Sequence, residues 1–75
     1  MPSLSSQDVR AILSKTVPTV DWSAVGEEED LEGAGLDSLD KASVVMEVER
    51  EASVTISDDR YGDLRTIRDL CAAGA

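Results

Sequence analysis

The sequence predicts an all-α fold: a small bundle of three main helices and one short helix, with a long connection between the first two. Three observations lead there. Apolar residues recur at helical spacing in three separate windows of the chain. Each of these windows opens on a residue able to cap a helix. The one stretch that could suggest a strand, Ser53 to Ile56, is too short and too mixed to be read as one.

Taken in order, residues 1–4 read as a frayed terminus. Ser5 is the expected N-cap of the first helix, with Asp8 three positions later in a variant of the capping box. Leu4 and Val9 occupy the two positions of a hydrophobic staple. Val9, Ile12, Leu13 and Val17 keep helical spacing, so the helix is predicted from about Ser6 to Val17, and Pro18 ends it.

From Pro18 to Asp37 the periodicity stops. Val20, Trp22, Val25 and Leu31 are spaced as anchors that pin a loop to the core, with Trp22 read as packing rather than as a ligand platform. Connections of this length without internal structure are uncommon and often functional. Glu27 to Asp30 form a charge run, for which a solvated face is the default.

The second helix is predicted over Ser38–Ala52, and it carries two apolar stripes. Val44, Val45, Val48 and Ala52 fall on one face; Leu39, Ala42 and Met46 fall nearly opposite. One stripe is enough to dock a helix on its own domain. The second, edged by Asp40, Glu47 and Glu51, reads as a surface for a partner with an apolar patch and a basic rim. The bland alternative is a domain that wraps helices around both faces. Lys41 is expected to snorkel from the helix start over the core stripe.

Val54 and Ile56 are expected to close the core from a loop. Ser57 is the predicted cap of a short helix, Asp58 to Leu64, which Gly62 weakens. Thr66 with Asp69 opens the last helix, whose inward face is Ile67, Leu70 and Cys71.

Seventy-five residues make one small domain spanning 1–75, without room for a second core. Cys71 is the only cysteine, which excludes an internal disulfide and suits a reducing cytoplasm. No apolar run is long enough to span a membrane, and no basic-plus-apolar leader is present. Sixteen acidic side chains against seven basic ones give a net charge of −9. Such a surface disfavours nucleic acid and anionic lipid and attracts basic proteins. Five arginines against two lysines hint at GC-rich bacterial coding.

The junction Gly35-Leu36-Asp37-Ser38-Leu39-Asp40 organises the rest. Gly33 and Gly35 give the loop freedom to turn, and Asp37 or Ser38 serves as N-cap. A hydroxyl at that point is exposed where a helix terminus favours negative charge, a suitable place for a phosphate ester. Alone, the motif describes any ordinary cap. The chain also holds no histidine, so neither Ser38 nor Cys71 has a Ser-His or Cys-His partner to activate it, and an enzyme in its own right is not expected.

With its whole length in view, the sequence resembles an acyl carrier protein. The resemblance rests on Asp37-Ser38-Leu39, on the first helix with Val9, Ile12 and Leu13, and on the acidic second helix with Val44-Val45-Met46-Glu47-Val48-Glu49. Val54-Thr55-Ile56 before a capped short helix and Thr66-Ile67 opening the last one complete it. It implies a four-helix bundle of acyl-carrier type and a 4′-phosphopantetheine arm on Ser38. A phosphopantetheinyl transferase would install the arm from coenzyme A with Mg²⁺, and the arm would carry acyl or aminoacyl groups as thioesters. Asp37 matches the family's aspartate that helps place the metal, and Leu39 flanks the attachment point. Leu39, Asp40, Ala42, Met46 and Glu47 fall where the family's second helix meets acyl-loading enzymes, acyltransferases or ketosynthases, with Glu51 on the same acidic flank. Ile56 fits a family position near the arm. Ala52 stands where a large aromatic often closes the second helix; either the core is loose, or Trp22 and Tyr61 fill the gap.

Gly-Leu-Asp-Ser-Leu resembles carriers of polyketide assembly, whereas Asp40 and the acidic helix resemble the free-standing fatty-acid type. The leading expectation is a discrete, monomeric carrier in bacterial polyketide or mixed polyketide and amino-acid assembly. Its rivals are the housekeeping fatty-acid carrier and, from another class, an unmodified acidic adaptor.

Overall fold

Two capping boxes start the outer helices of the bundle seen in the computed structural model, which describes residues 4–74. At α1 (Ser6–Thr16) the Asp8 N–H donates to Ser5 Oγ at 3.2 Å, and the Ser5 N–H donates to Asp8 Oδ2 at 3.0 Å. At α4 (Ile67–Ala73) Thr66 and Asp69 repeat the exchange, at 3.1 and 3.2 Å. Leu4 packs against the core, so the expected fraying stops short of it; residues 1–3 lie outside the described residues.

The connection after α1 is not structureless. It holds a 3₁₀ turn at Trp22–Ala24 and the short helix α2 (Leu31–Ala34), neither of which has enough apolar repeats to show helical period in sequence. Asp21 and Asp30 cap these two turns. The anchors do what their spacing predicts. Trp22, Val25 and Leu31 are buried, and the Trp22 indole N–H donates to the Val17 carbonyl at 2.9 Å. Part of the connection is held from elsewhere in the chain: Leu31 N–H donates to Arg65 O at 2.9 Å, Arg68 N–H to Glu27 O at 3.0 Å, and Arg10 Nη2 to Val25 O at 2.8 Å.

The third helix, α3 (Ser38–Ala52), lies across α1 and α4. It ends on Ser53 in the left-handed region, φ 56°, where a residue with a Cβ costs on the order of 1 kcal/mol. Glu49 holds the turn that follows, its Oε2 accepting the Ile56 N–H at 2.7 Å. The predicted short helix is a 3₁₀ segment, Asp58–Asp63, and Ser57 makes no side-chain cap bond to it. Without that cap, and with Gly62 inside, nothing favours the wider α turn. No described residue is in a strand, and no described helix is long and apolar enough to cross a membrane.

The space an aromatic would take at position 52 is closed by approach of the chain. Ala52 is buried, and a Cβ placed on Gly74 would lie 3.4 Å from the Ala52 Cβ and 3.2 Å from Leu4 Cδ1. Trp22 lies in the core and Tyr61 packs at its edge.

Candidate functional site

Residues 30 to 38 make a helix, reverse direction and start a second helix within nine positions. Asp30 caps α2 by accepting the Glu32 N–H at 3.1 Å. Gly35 ends it at φ 125°, where a Cβ would also sit 3.0 Å from Val20 Cγ2, so both backbone and space call for glycine. Gly33 has no such requirement. The Leu36 N–H donates back to Leu31 O at 3.0 Å and its side chain is buried, which fixes the direction in which the next residues leave.

Asp37 then takes the cap. Its backbone is extended (φ −85°, ψ 177°), and its Oδ1 accepts the Asp40 N–H at 2.8 Å. The alternative left open between Asp37 and Ser38 is thereby decided. Ser38 is the first helical residue, exposed, and its hydroxyl makes no hydrogen bond among the described residues. It sits at the positive end of a fifteen-residue helix, where the unpaired N–H groups and the aligned peptide dipoles favour an anion.

The outer stripe of α3 is bare. Leu39 is 81% exposed and Met46 63%, the two large hydrophobic residues left in solvent among the described residues, with Ala42 half-buried between them. Asp40 is half-buried beside this stripe and Glu51 is exposed. Glu47 is more engaged than its place in sequence suggested: its side chain, only 17% exposed, pairs with Lys15 of α1 at 3.5 Å and with Arg50 one turn on. Together with Thr16, Ser43 and Met46, these residues line a shallow groove of about 250 Å³ between α1 and α3. Ile56 is 5% exposed and part of the core cluster, as expected of a residue closing the core from a loop, and it offers little surface of its own.

A second cleft, about 180 Å³, opens on the Ser38 side of the bundle. Leu31, Leu36 and Leu64 form its floor, and Asp30, Glu32, Lys41 and Arg65 its rim. Lys41, half-buried, lines this cleft. Arg65 drew no attention in sequence, because only folding brings it to the same cleft as Leu36 and Lys41.

Neither remaining reactive side chain is poised for catalysis. Burial pushes the Cys71 thiol up from its ordinary value, with Glu27 and Asp8 adding to the shift, so it is less of a thiolate than a free cysteine. Burial, then Glu49 and Asp58, raises the Tyr61 hydroxyl as well.

A family model described as "Phosphopantetheine attachment site" matches residues 7–73. No curated protein matches the chain. The residues present fit the group this family bears. An exposed hydroxyl without a hydrogen-bond partner at a helix start can be esterified without costing the fold a hydrogen bond, and the terminus favours the resulting phosphodiester.

Proposed function

The chain belongs to the phosphopantetheine-binding carrier family, and we propose that Ser38 is the residue through which it bears its arm. As a member it is a carrier of thioester intermediates on a covalently attached 4′-phosphopantetheine. The group supplies a terminal thiol that holds acyl groups as thioesters. The single observation that carries Ser38 is its unbonded hydroxyl at the first position of α3, with Asp37 already capping the helix.

The surrounding residues divide the remaining work. Asp37 Oδ1 is occupied by the Asp40 N–H, while Oδ2 makes no hydrogen bond among the described residues and is free for a cation brought by the transferase. Leu39, Ala42 and Met46 offer apolar contact on the face next to Ser38, and Asp40 and Glu51 set an acidic margin for basic docking surfaces. Glu47 belongs to this margin only in part, because Lys15 and Arg50 already neutralise it. The chain presents the cargo at high local concentration, and the visiting enzyme supplies the chemistry.

The pathway we favour is bacterial polyketide or mixed polyketide and amino-acid assembly, in the cytoplasm; Gly35-Leu36 ahead of Asp37-Ser38-Leu39 supports it. Asp40 and the acidic flank support a second reading, the housekeeping fatty-acid carrier. Mass spectrometry of the protein isolated from its host tests both. The arm is expected on the peptide containing Ser38, with a polyketide-type or aminoacyl cargo. A simple fatty acyl group there would favour the second reading, and a bare Ser38 in every preparation would contradict the attachment point.

A further inference from the structure

We infer that the outer stripe of α3, which begins beside Ser38, ends in a cationic notch made by Lys15 and Arg50. This notch takes a carboxylate side chain of a partner protein, while an apolar neighbour of that side chain rests on Met46. The inference rests on the carrier reading and goes further by assigning the partner a charge at one place. Leu39, Ser43, Met46 and Arg50 follow one another at intervals of four, three and four residues, so they form one line along the helix. At its far end the line meets Lys15, in the last turn of α1. There Lys15, Thr16, Ser43, Met46, Glu47 and Arg50 surround the groove of about 250 Å³.

The charge of the groove runs against that of the chain. The protein as a whole carries −9, yet the groove is lined by two cations and one carboxylate. The carboxylate is also the recessed member. Glu47 is 17% exposed, whereas Lys15 and Arg50, which pair with its two oxygens, are 72% and 73% exposed. An approaching surface therefore meets the two cations before the acid they share. Neither cation is used up by that acid, because an ammonium has three N–H donors and a guanidinium five.

The sign matters because the flank of the stripe is acidic. Asp40 and Glu51 are eleven residues apart, which brings them to one side of the helix, where they favour basic groups. A partner that reaches from Ser38 to the groove thus passes negative charge along the flank and meets positive charge at the end. Helical rise puts Arg50 about 18 Å along the axis from Ser38. A partner set down in the reverse direction brings its carboxylate toward Asp40 instead, and is repelled. The notch therefore sets the direction of docking more than its strength.

The test uses the isotope-labelled, arm-loaded protein and three amphipathic helical peptides that share their leucines and differ at one position, Glu, Gln or Lys. Intact mass first verifies the arm. Failure at that step would count against the carrier reading alone, and the titrations would proceed on the bare chain, since the notch is part of the polypeptide. In amide NMR titrations, the Glu peptide is expected to shift Ser43, Met46 and Arg50. It should bind about two- to fivefold more tightly than the Gln peptide, the worth of one exposed ion pair, and the Lys peptide should bind more weakly than either. Lys15→Gln and Arg50→Gln, checked by circular dichroism for an intact fold, should each reduce the preference for Glu over Gln. Glu47→Gln, which releases both cations, should raise it. About 1 M salt, with a Debye length of ~3 Å, should largely erase it. A Glu peptide that binds no better than the Gln or Lys peptide, or that shifts only residues outside the groove, would overturn the proposal. So would a preference for Glu that survives loss of both cations. Shifts at the groove that grow with the concentration of the protein alone would assign it to a second copy of the chain, and would overturn the proposal as well.

Discussion

The two faces of α3 carry similar residues and have opposite fates. Val44, Val45, Val48 and Ala52 are buried against α1 and α4, while Leu39 and Met46, on the same helix, lie in solvent. An apolar side chain gains roughly 1.5–3 kcal/mol from burial, and Leu39 and Met46 forgo most of it. They add little to the fold, which leaves them available for contact beside the one hydroxyl the helix start leaves free. The inner face holds the domain together; the outer face and Ser38 are what we propose another protein meets.

The largest expected effect would break that division outright. Val45→Asp puts an unpaired charge into the core and should abolish cooperative thermal unfolding, whereas Met46→Asp should stay within about 0.5 kcal/mol of the parent. Comparable losses from both would show that the outer stripe is also core. Next in size, Met46→Ala should weaken recognition by a partner enzyme by about 1–2 kcal/mol, read as a higher KM for the carrier with little change in Tm.

A finer cut separates cap from chemistry at position 37. Asp37→Ala should cost about 1 kcal/mol of stability, whereas Asp37→Asn should keep the cap and so the Tm. Both should slow arm transfer, since neither offers a carboxylate to a cation; normal transfer to the Asn variant would confine Asp37 to capping. Smaller still, Glu47→Gln should lower stability by about 0.5 kcal/mol through loss of the links to Lys15 and Arg50, and the loss should shrink in salt.

The smallest effect concerns pH. The Ser5 backbone N–H, and then the Ser5 hydroxyl, hold the Asp8 carboxyl below the usual aspartate range. A carboxyl depressed on folding stabilises above its ordinary pKa, and that contribution fades as pH falls through the folded value. Asp8→Asn should therefore lose that small increment at neutral pH, converge with the parent at low pH and so flatten the acid limb of the stability curve; an acid limb as steep as the parent's would contradict this.

Much of this molecule was readable before folding because its signals are local. Capping boxes, helical spacing and the Pro18 stop fixed the bounds of α1 and α3 and the start of α4 to within a residue, and the exposure of Leu39 and Met46 followed from angles around one helix. What stayed hidden depends on contacts between distant segments. The turns at Trp22 and Leu31 exist because Arg10, Arg65 and Arg68 meet them from elsewhere in the chain. Glu47 looked like a free acid until Lys15 arrived from α1. The cleft between Lys41 and Arg65 has no trace in either local sequence.

The most direct measurement is intact mass after incubation with coenzyme A, Mg²⁺ and a broad-specificity transferase. The account predicts a gain equal to one phosphopantetheine arm on the parent chain and none on a folded Ser38→Ala variant. A parent chain that keeps its bare polypeptide mass, or a Ser38→Ala variant that still gains the arm, would contradict it.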